Sequence, residues 1–290
     1  MCERCGCSGN DHTQLHSPSE RHVLEHVHAD GTAHSHAGGQ HPHIHEDHQG
    51  AYAAHGGDDE CHPRHHVHAP EVIDLKMRVL TKNDEVAEIN RTWFAQQKVL
   101  ALNLVSSPGA GKTTLLERTI RDLRGTIPIY VIEGDQATAN DAVRIRSAGA
   151  PAVQVNTGTG CHLEAAMVAR GVAELQPPGG SLLLIENVGN LVCPAMFDLG
   201  ERAKVVILST TEGDDKPLKY PHMFRAAEIM VLNKIDLLPH VDFDVQHAVR
   251  HARAINPGIT VIALSARTGE GLDAWYEWLH REIEADRGPT

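Results

Sequence analysis

Ser106-Ser107-Pro108-Gly109-Ala110-Gly111-Lys112-Thr113-Thr114 is the stretch that decides the fold. A short apolar run at 99–105 precedes it, and a helix-patterned segment at 114–123 follows. Strand, glycine loop and helix in this order make a phosphate-binding P-loop. Gly109 and Gly111 let the backbone N–H groups of 109–114 approach phosphate oxygens, and the helix N-terminus adds positive potential there. Lys112 is placed to reach the β and γ phosphates, and Thr113 to set its hydroxyl on Mg2+. Ser106 stands at the first motif position in place of glycine, a departure the loop tolerates.

Further apolar runs occur at 127–132, 152–155, 181–185, 203–208, 229–232 and 260–264, separated by helix-patterned stretches. They are short and do not alternate, as expected of strands buried on both faces. The expected fold is α/β: a mostly parallel sheet of about seven strands with helices on both sides. It is preceded by one or two helices over 71–97, with apolar positions at Val72, Leu75, Val79, Val86, Ile89 and Trp93.

Asn233-Lys234-Ile235-Asp236 follows one of these strands, and Ser265-Ala266-Arg267 follows the next. The Asp236 carboxylate is suited to accept from guanine N1–H and the 2-amino group, which adenine lacks. Asn233 is suited to the O6/N7 edge of the purine, and the Lys234 stem to covering the ring. A backbone N–H at Ser265 or Ala266 is suited to guanine O6. Taken with the P-loop, these residues favour GTP over ATP. Asp135 in Glu133-Gly134-Asp135 and Glu186 in Glu186-Asn187-Val188-Gly189 lie where carboxylates surround Mg2+ and the attacking water. Lys112, Asp135 and Glu186 are therefore the catalytic candidates. Either carboxylate is suited to orient the water.

A metal theme runs beside this nucleotide theme. Cys161-His162 precedes a helix-patterned segment at 163–175, and Cys193-Pro194 lies seven residues past Glu186, in the loop that senses the γ phosphate. A lone buried cysteine is more often a small apolar residue. The coincidence with Cys193 in that loop argues for a ligand set instead. Two thiolates and an imidazole suit Zn2+ or Ni2+. One chain supplies three such ligands; water or a second chain at a two-fold axis would supply the fourth.

Residues 1–70 hold 16 of the 22 histidines and four of the six cysteines. Cys2, Cys5 and Cys7 can wrap one ion, and thiolates select Cu(I), Zn(II) or an iron–sulfur cluster on softness. With an α-amine beside Cys2 as fourth donor, a planar set would suit Ni(II). His34, His36, His41, His43, His45, His65, His66 and His68 alternate with small or polar residues and read as many storage sites of moderate affinity. Ten acidic against three basic residues give this segment a net charge of −7, and the other 220 residues carry −5. The segment has too few large apolar residues to offset about 1–2 kcal/mol of backbone entropy per ordered residue. It is expected to be disordered without metal, with the nucleotide domain over 71–290. No basic face suggests nucleic acid. No apolar run approaches the ~18–20 residues that span a bilayer. Thiols without a secretory signal point to the cytoplasm.

The Cys2-x-x-Cys5-Gly6-Cys7 start, the histidine stretch, residues 106–114, Thr159-Gly160-Cys161-His162-Leu163 and the run from Glu186 to Pro194 together resemble the HypB family. These are GTPases of the SIMIBI class that help insert nickel into nickel–iron hydrogenase. The resemblance covers essentially the whole chain. It implies a slow regulatory GTPase that dimerises with nucleotide or metal and works with a HypA-type metallochaperone on a hydrogenase large-subunit precursor. It also implies a tight nickel site at Cys2, Cys5 and Cys7, and a nickel or zinc site at Cys161, His162 and Cys193. The urease chaperone UreG carries Cys-Pro-His, whereas here Ala195 follows Pro194. Zinc-delivery GTPases carry Cys-x-Cys-Cys, which is absent. A nickel or zinc buffering protein with secondary GTPase activity is the alternative of another class.

Overall fold

The computed structural model describes residues 23–27, 33–37, 69–135, 140–158 and 160–287. They fall into two units, described separately. In the first, β1 (Val23–Val27) pairs antiparallel with β2 (Ala33–Ala37). No regular element was expected there. Val23 and Val27 favour extended backbone, but an isolated two-stranded pair is marginal in water, so composition gives little sign of it. His34 and His36 lie on β2. Cys2, Cys5, Cys7, His41, His43, His45, His65, His66 and His68 lie outside the described residues.

The second unit is built on a seven-stranded sheet, every neighbouring pair of which is parallel. Its elements run α1 (Ala69–Gln97), β3 (Leu100–Ser106), α2 (Lys112–Asp122), β4 (Ile129–Asp135), α3 (Asn140–Ala148), β5 (Ala152–Asn156), α4 (Ala165–Leu175), β6 (Leu182–Glu186), β7 (Ala203–Ser209), α5 (Lys216–Lys219), α6 (Pro221–Ala226), β8 (Ile229–Asn233), α7 (Val245–Ile255), β9 (Thr260–Ala263) and α8 (Leu272–Arg287). The strand order is β5-β4-β6-β3-β7-β8-β9. The chain leaves β3, builds outward through β4 and β5, returns to β6 between β4 and β3, then crosses to the other side. The crevice at the carboxyl ends of the strands beside β3 is where open parallel sheets bind ligands.

Both faces of the sheet are covered, which explains the continuous apolar runs. Leu100, Leu102 and Leu104 of β3 pack with Leu115 and Leu116 of α2 and Trp275, Trp278 and Leu279 of α8. On the opposite face Ala101 packs with Phe94 of α1 and Val168 of α4, and Val105 with Phe224 of α6 and Ala248 of α7.

Two expectations are corrected. α1 is one helix, within the one or two expected, but its buried face is shifted from the expected stripe: Val79 is 46% and Ile89 67% exposed and Val86 and Trp93 are half-buried, whereas Asn83, Ala87, Asn90 and Phe94 are buried. The asparagines go inside because they satisfy backbone groups. Asn83 accepts from Ala165 N and donates to Asp198 O, and Asn90 donates to Ala165 O and Leu199 O. Helix α4 begins at Ala165, not Leu163, because Glu164 is its extended N-cap (φ −109°, ψ 156°). Cys161 and His162 therefore lie in a loop.

Candidate functional site

Every candidate side chain of the nucleotide site lies at or just beyond the carboxyl end of a strand. The loop after β3 turns on Gly109 (φ +76°) and Gly111 (φ +98°), conformations that favour glycine. At Gly111 space matters as well: a Cβ would stand 2.5 Å from Asn233 Nδ2. That approach is bonded, since Asn233 Nδ2 donates to Ala110 O at 2.9 Å. Asn233 Oδ1 accepts from Lys234 N and Ala266 N, and Lys234 Nζ donates to Gly109 O. Through these bonds the Asn233 amide, expected at the purine edge, also braces the P-loop, the loop after β8 and the loop after β9 as one body. Asp236 sits on the first turn of a 3-10 segment, Ile235–His240. Its Oδ1 is buried with no hydrogen-bond partner in the protein. Ser265 is fully buried and its hydroxyl accepts from Thr268 N, which shapes the turn carrying Ala266.

Lys112, Thr113, Asp135 and Glu186 share one cleft of about 620 Å³ with Pro108, Gly109, Ala110, Gly111, Thr114 and Lys234. Glu186 ends β6 and Asp135 ends β4. Thr113 Oγ1 donates to Glu186 Oε1 at 2.6 Å, and Lys112 Nζ lies 4.0 Å from the same oxygen. Glu186 Oε2 is buried with no hydrogen-bond partner. Burial pushes the Glu186 carboxyl up, opposed by Lys112 and the Thr113 hydroxyl. Two further lining residues, Asp141 and Arg144 of α3, gave no sign in the sequence. They look like an ordinary solvated helix pair at i, i+3. In the fold Arg144 Nε and Nη2 donate to Glu117 and Nη1 to Asp141, which presents a fixed cation at the cleft.

Glu133 gives no sign in the sequence either. It stands opposite Glu186 in the β4–β6 ladder and is 2% exposed. Burial, then the charges of Glu186 and Asp135, push its carboxyl up to about 8, against the pull of Lys112. A carboxyl raised from 4.5 to about 8 is protonated in the folded chain while ionised in the unfolded one. Its stabilising effect is full below about pH 4.5 and is lost as pH rises through 8. Glu133→Gln removes that loss. Without nucleotide and with chelator present, it is expected to raise Tm by at least several degrees at pH 8.5 and by little at pH 5. Thermal melts at the two pH values check this; equal shifts would contradict it.

The metal candidates converge. One ligand atom from each of Cys161, His162 and Cys193 falls within 4.8 Å of the others, although 32 residues separate the cysteines. The two sulfurs are 2.8 Å apart and no disulfide joins them. His162 Nε2 is buried without a hydrogen-bond partner, and the ring stacks on Phe197 at 3.8 Å between centroids. Burial holds the His162 pKa below the ordinary histidine value, which favours the neutral imidazole a metal requires. Cys193 opens a 3-10 turn, Cys193–Ala195, in the loop leaving Glu186. Among the described residues this is the one such group of three or more. Thr159 lies outside them. No helix among them is long and apolar enough to cross a membrane.

Several known proteins resemble this chain. The family described as "CobW/HypB/UreG, nucleotide-binding domain" matches residues 100–263. The hydrogenase maturation factor HypB of Rhizobium leguminosarum bv. viciae is 57% identical over 226 residues, covering 76% of this chain and 75% of that protein. The HypB of Escherichia coli K12 is 56% identical over 221 residues, covering 74% and 76%. The crystal structure of HypB from Helicobacter pylori in complex with nickel aligns with a TM-score of 0.66 at 35% identity, over 72% of this chain and 98% of that one. With a P-loop, an all-parallel sheet and relatives this similar, the chain belongs to the HypB family of P-loop nucleotide-binding proteins.

Proposed function

We propose that this protein is a GTP-hydrolysing nickel chaperone that stores nickel and delivers it for maturation of a nickel–iron hydrogenase. One observation carries the reading: the loop that begins at the cleft carboxylate Glu186 ends on a metal ligand, Cys193, beside Cys161 and His162. The hydrogenase role is carried over from the relatives' names, and nickel is also the metal of the H. pylori structure. Nickel is cargo here, and zinc suits the same ligands.

Lys112 and the backbone of 109–114 bind the phosphates, and Asp236 with the Ala266 backbone selects guanine. Glu186 and Asp135 flank the position of the attacking water. Mg2+ fits this set, because the Thr113 hydroxyl meets a carboxylate whose second oxygen is buried and unpartnered. When bound, it neutralises charge on the phosphate oxygens. Thr113, Glu186 and Asp135 would hold it.

A homodimer would complete the three-ligand metal site. Val192 and Met196, which flank Cys193, are 56% and 54% exposed and would meet a second copy. A HypA-type metallochaperone and a hydrogenase large-subunit precursor are the proposed partners, and the cytoplasm, which keeps thiols reduced, the proposed compartment. Cys2, Cys5 and Cys7 are proposed as a tight nickel site, and the histidines at 34–68 as a reservoir.

The test is hydrogenase activity in a cell whose own HypB-family gene is deleted. The full chain is expected to restore activity, and a chain lacking 8–68 to restore it only when nickel is plentiful. Failure of the full chain at every nickel level sinks the maturation reading. Failure of the shortened chain at every level sinks the reservoir reading.

A further inference from the structure

The segment Cys161-His162-Leu163 is fastened to both strand ends that carry the cleft carboxylates. Leu163 N donates to Asn187 Oδ1 at 3.1 Å, and Asn187 follows Glu186. Asn190 Nδ2 donates to Cys161 O at 3.3 Å. The Leu163 side chain lies over Gly134, where a Cβ would meet its Cγ at 2.7 Å, and Gly134 precedes Asp135. The metal-bearing loop therefore rests on β4 and is pinned by two asparagine amides of the loop after β6.

Those amides have no slack. Asn187 is 2% exposed and both ends of its amide are engaged. Its Oδ1 also accepts from Val188 N at 3.0 Å, and its Nδ2 donates to Asn103 Oδ1 at 3.2 Å. Asn103 Nδ2 donates onward to Glu201, which also takes the Lys204 ammonium. Asn190 Oδ1 accepts from Val192 N at 2.8 Å, so one side chain ties Cys161 to the turn presenting Cys193. On its other flank the same loop touches the P-loop: a Cβ on Gly189 would be 3.2 Å from Pro108 Cα.

We propose that Asn187 and Asn190 are positioning residues that relay nucleotide state to the metal ligands. A displacement of Glu186, Val188 or Gly189 by the γ phosphate has two outcomes at Asn187. The amide travels with the loop and draws Leu163 with it, or it lets go and leaves a buried N–H unpaired, which is unfavourable. Both change how Cys161 and His162 stand to Cys193. The inference rests on the nickel-delivery reading and supplies its device. Linkage makes the effect reciprocal.

The test uses the full chain with Cys2, Cys5, Cys7 and Cys61 changed to serine, which leaves thiolates only at 161 and 193. Ni(II) is titrated by its sulfur-to-nickel charge-transfer band, once with Mg–GDP and once with a non-hydrolysable Mg–GTP analogue. The ratio of the two affinities is the coupling. A ratio within the usual range of about 5–150 is expected for the parent. Asn187→Ala is expected to bring the ratio below about 2, with the band and the GDP-state affinity kept within about threefold. Asn190→Ala, at the accessible end of the clamp, is expected to lower it at least about threefold and stands in if Asn187→Ala does not fold. An unchanged ratio in the folded variants overturns the relay. So does loss of the band in both nucleotide states, because the amides would then build the site and relay nothing. A parent ratio of 1 sinks the nucleotide-timed delivery reading and the relay together. A responsive parent with equally responsive variants sinks the relay alone.

Discussion

Asp236→Ala is expected to weaken GTP binding about 10²–10⁴-fold, since two hydrogen bonds to a charged acceptor contribute about 1.5–3 kcal/mol each. ATP binding should stay within about threefold of its already weak value, because adenine offers this acceptor nothing to lose. Asn233 and Lys234 fix the loop against the P-loop, so Asp236 meets the base at a set distance from the phosphate cradle. Its Oδ1 is already buried and unpartnered, so little desolvation is left when guanine arrives. Competition of GTP and ATP against a fluorescent guanine nucleotide reads both affinities. Unchanged GTP affinity would remove Asp236 from base recognition.

Cys193→Ser is expected to lower Ni(II) affinity at the nucleotide domain more than about 100-fold, since even an outer-shell partner of a ligand costs 10–100-fold. A neutral hydroxyl does not replace a thiolate on a borderline metal. The remaining pair, Cys161 and His162, are chain neighbours and cannot enclose an ion between two segments. Mg2+-supported GTP hydrolysis in the absence of nickel and zinc should fall less than about threefold, because Cys193 is absent from the residues lining the phosphate cleft. The charge-transfer titration, in the chain freed of Cys2, Cys5, Cys7 and Cys61, reads the first quantity. Phosphate release reads the second. Wild-type nickel affinity in this variant would show that the nucleotide domain binds its metal elsewhere.

The architecture was legible in the sequence because both mechanisms behind it are local. Strands buried on two faces are short unbroken apolar runs, and 229–232 and 203–208 needed nothing else. The P-loop declares itself through glycines with positive φ. Features that depend on distant partners do not show in the sequence. Asn83 and Asn90 look like the solvent face of α1, yet they are buried because Asp198, Leu199 and Ala165 present backbone groups to them. Arg144 looks like a surface cation until the fold sets α3 beside the cleft. Glu133 sits one residue from Gly134 in a motif already singled out, but its burial opposite Glu186 comes from strand register.

The sequence by itself determined the phosphate loop and the family, and it singled out the candidate base-reading carboxylate and the candidate metal ligands. Each of these rests on residue type and short spacing. Only the tertiary structure decided that Cys161 and His162 meet Cys193, and that the asparagines after Glu186 hold them. Those contacts span 24 to 32 residues. They exist because β5 and β6 flank β4 in one parallel sheet and deliver their following loops to the same edge, on either side of the β4 end.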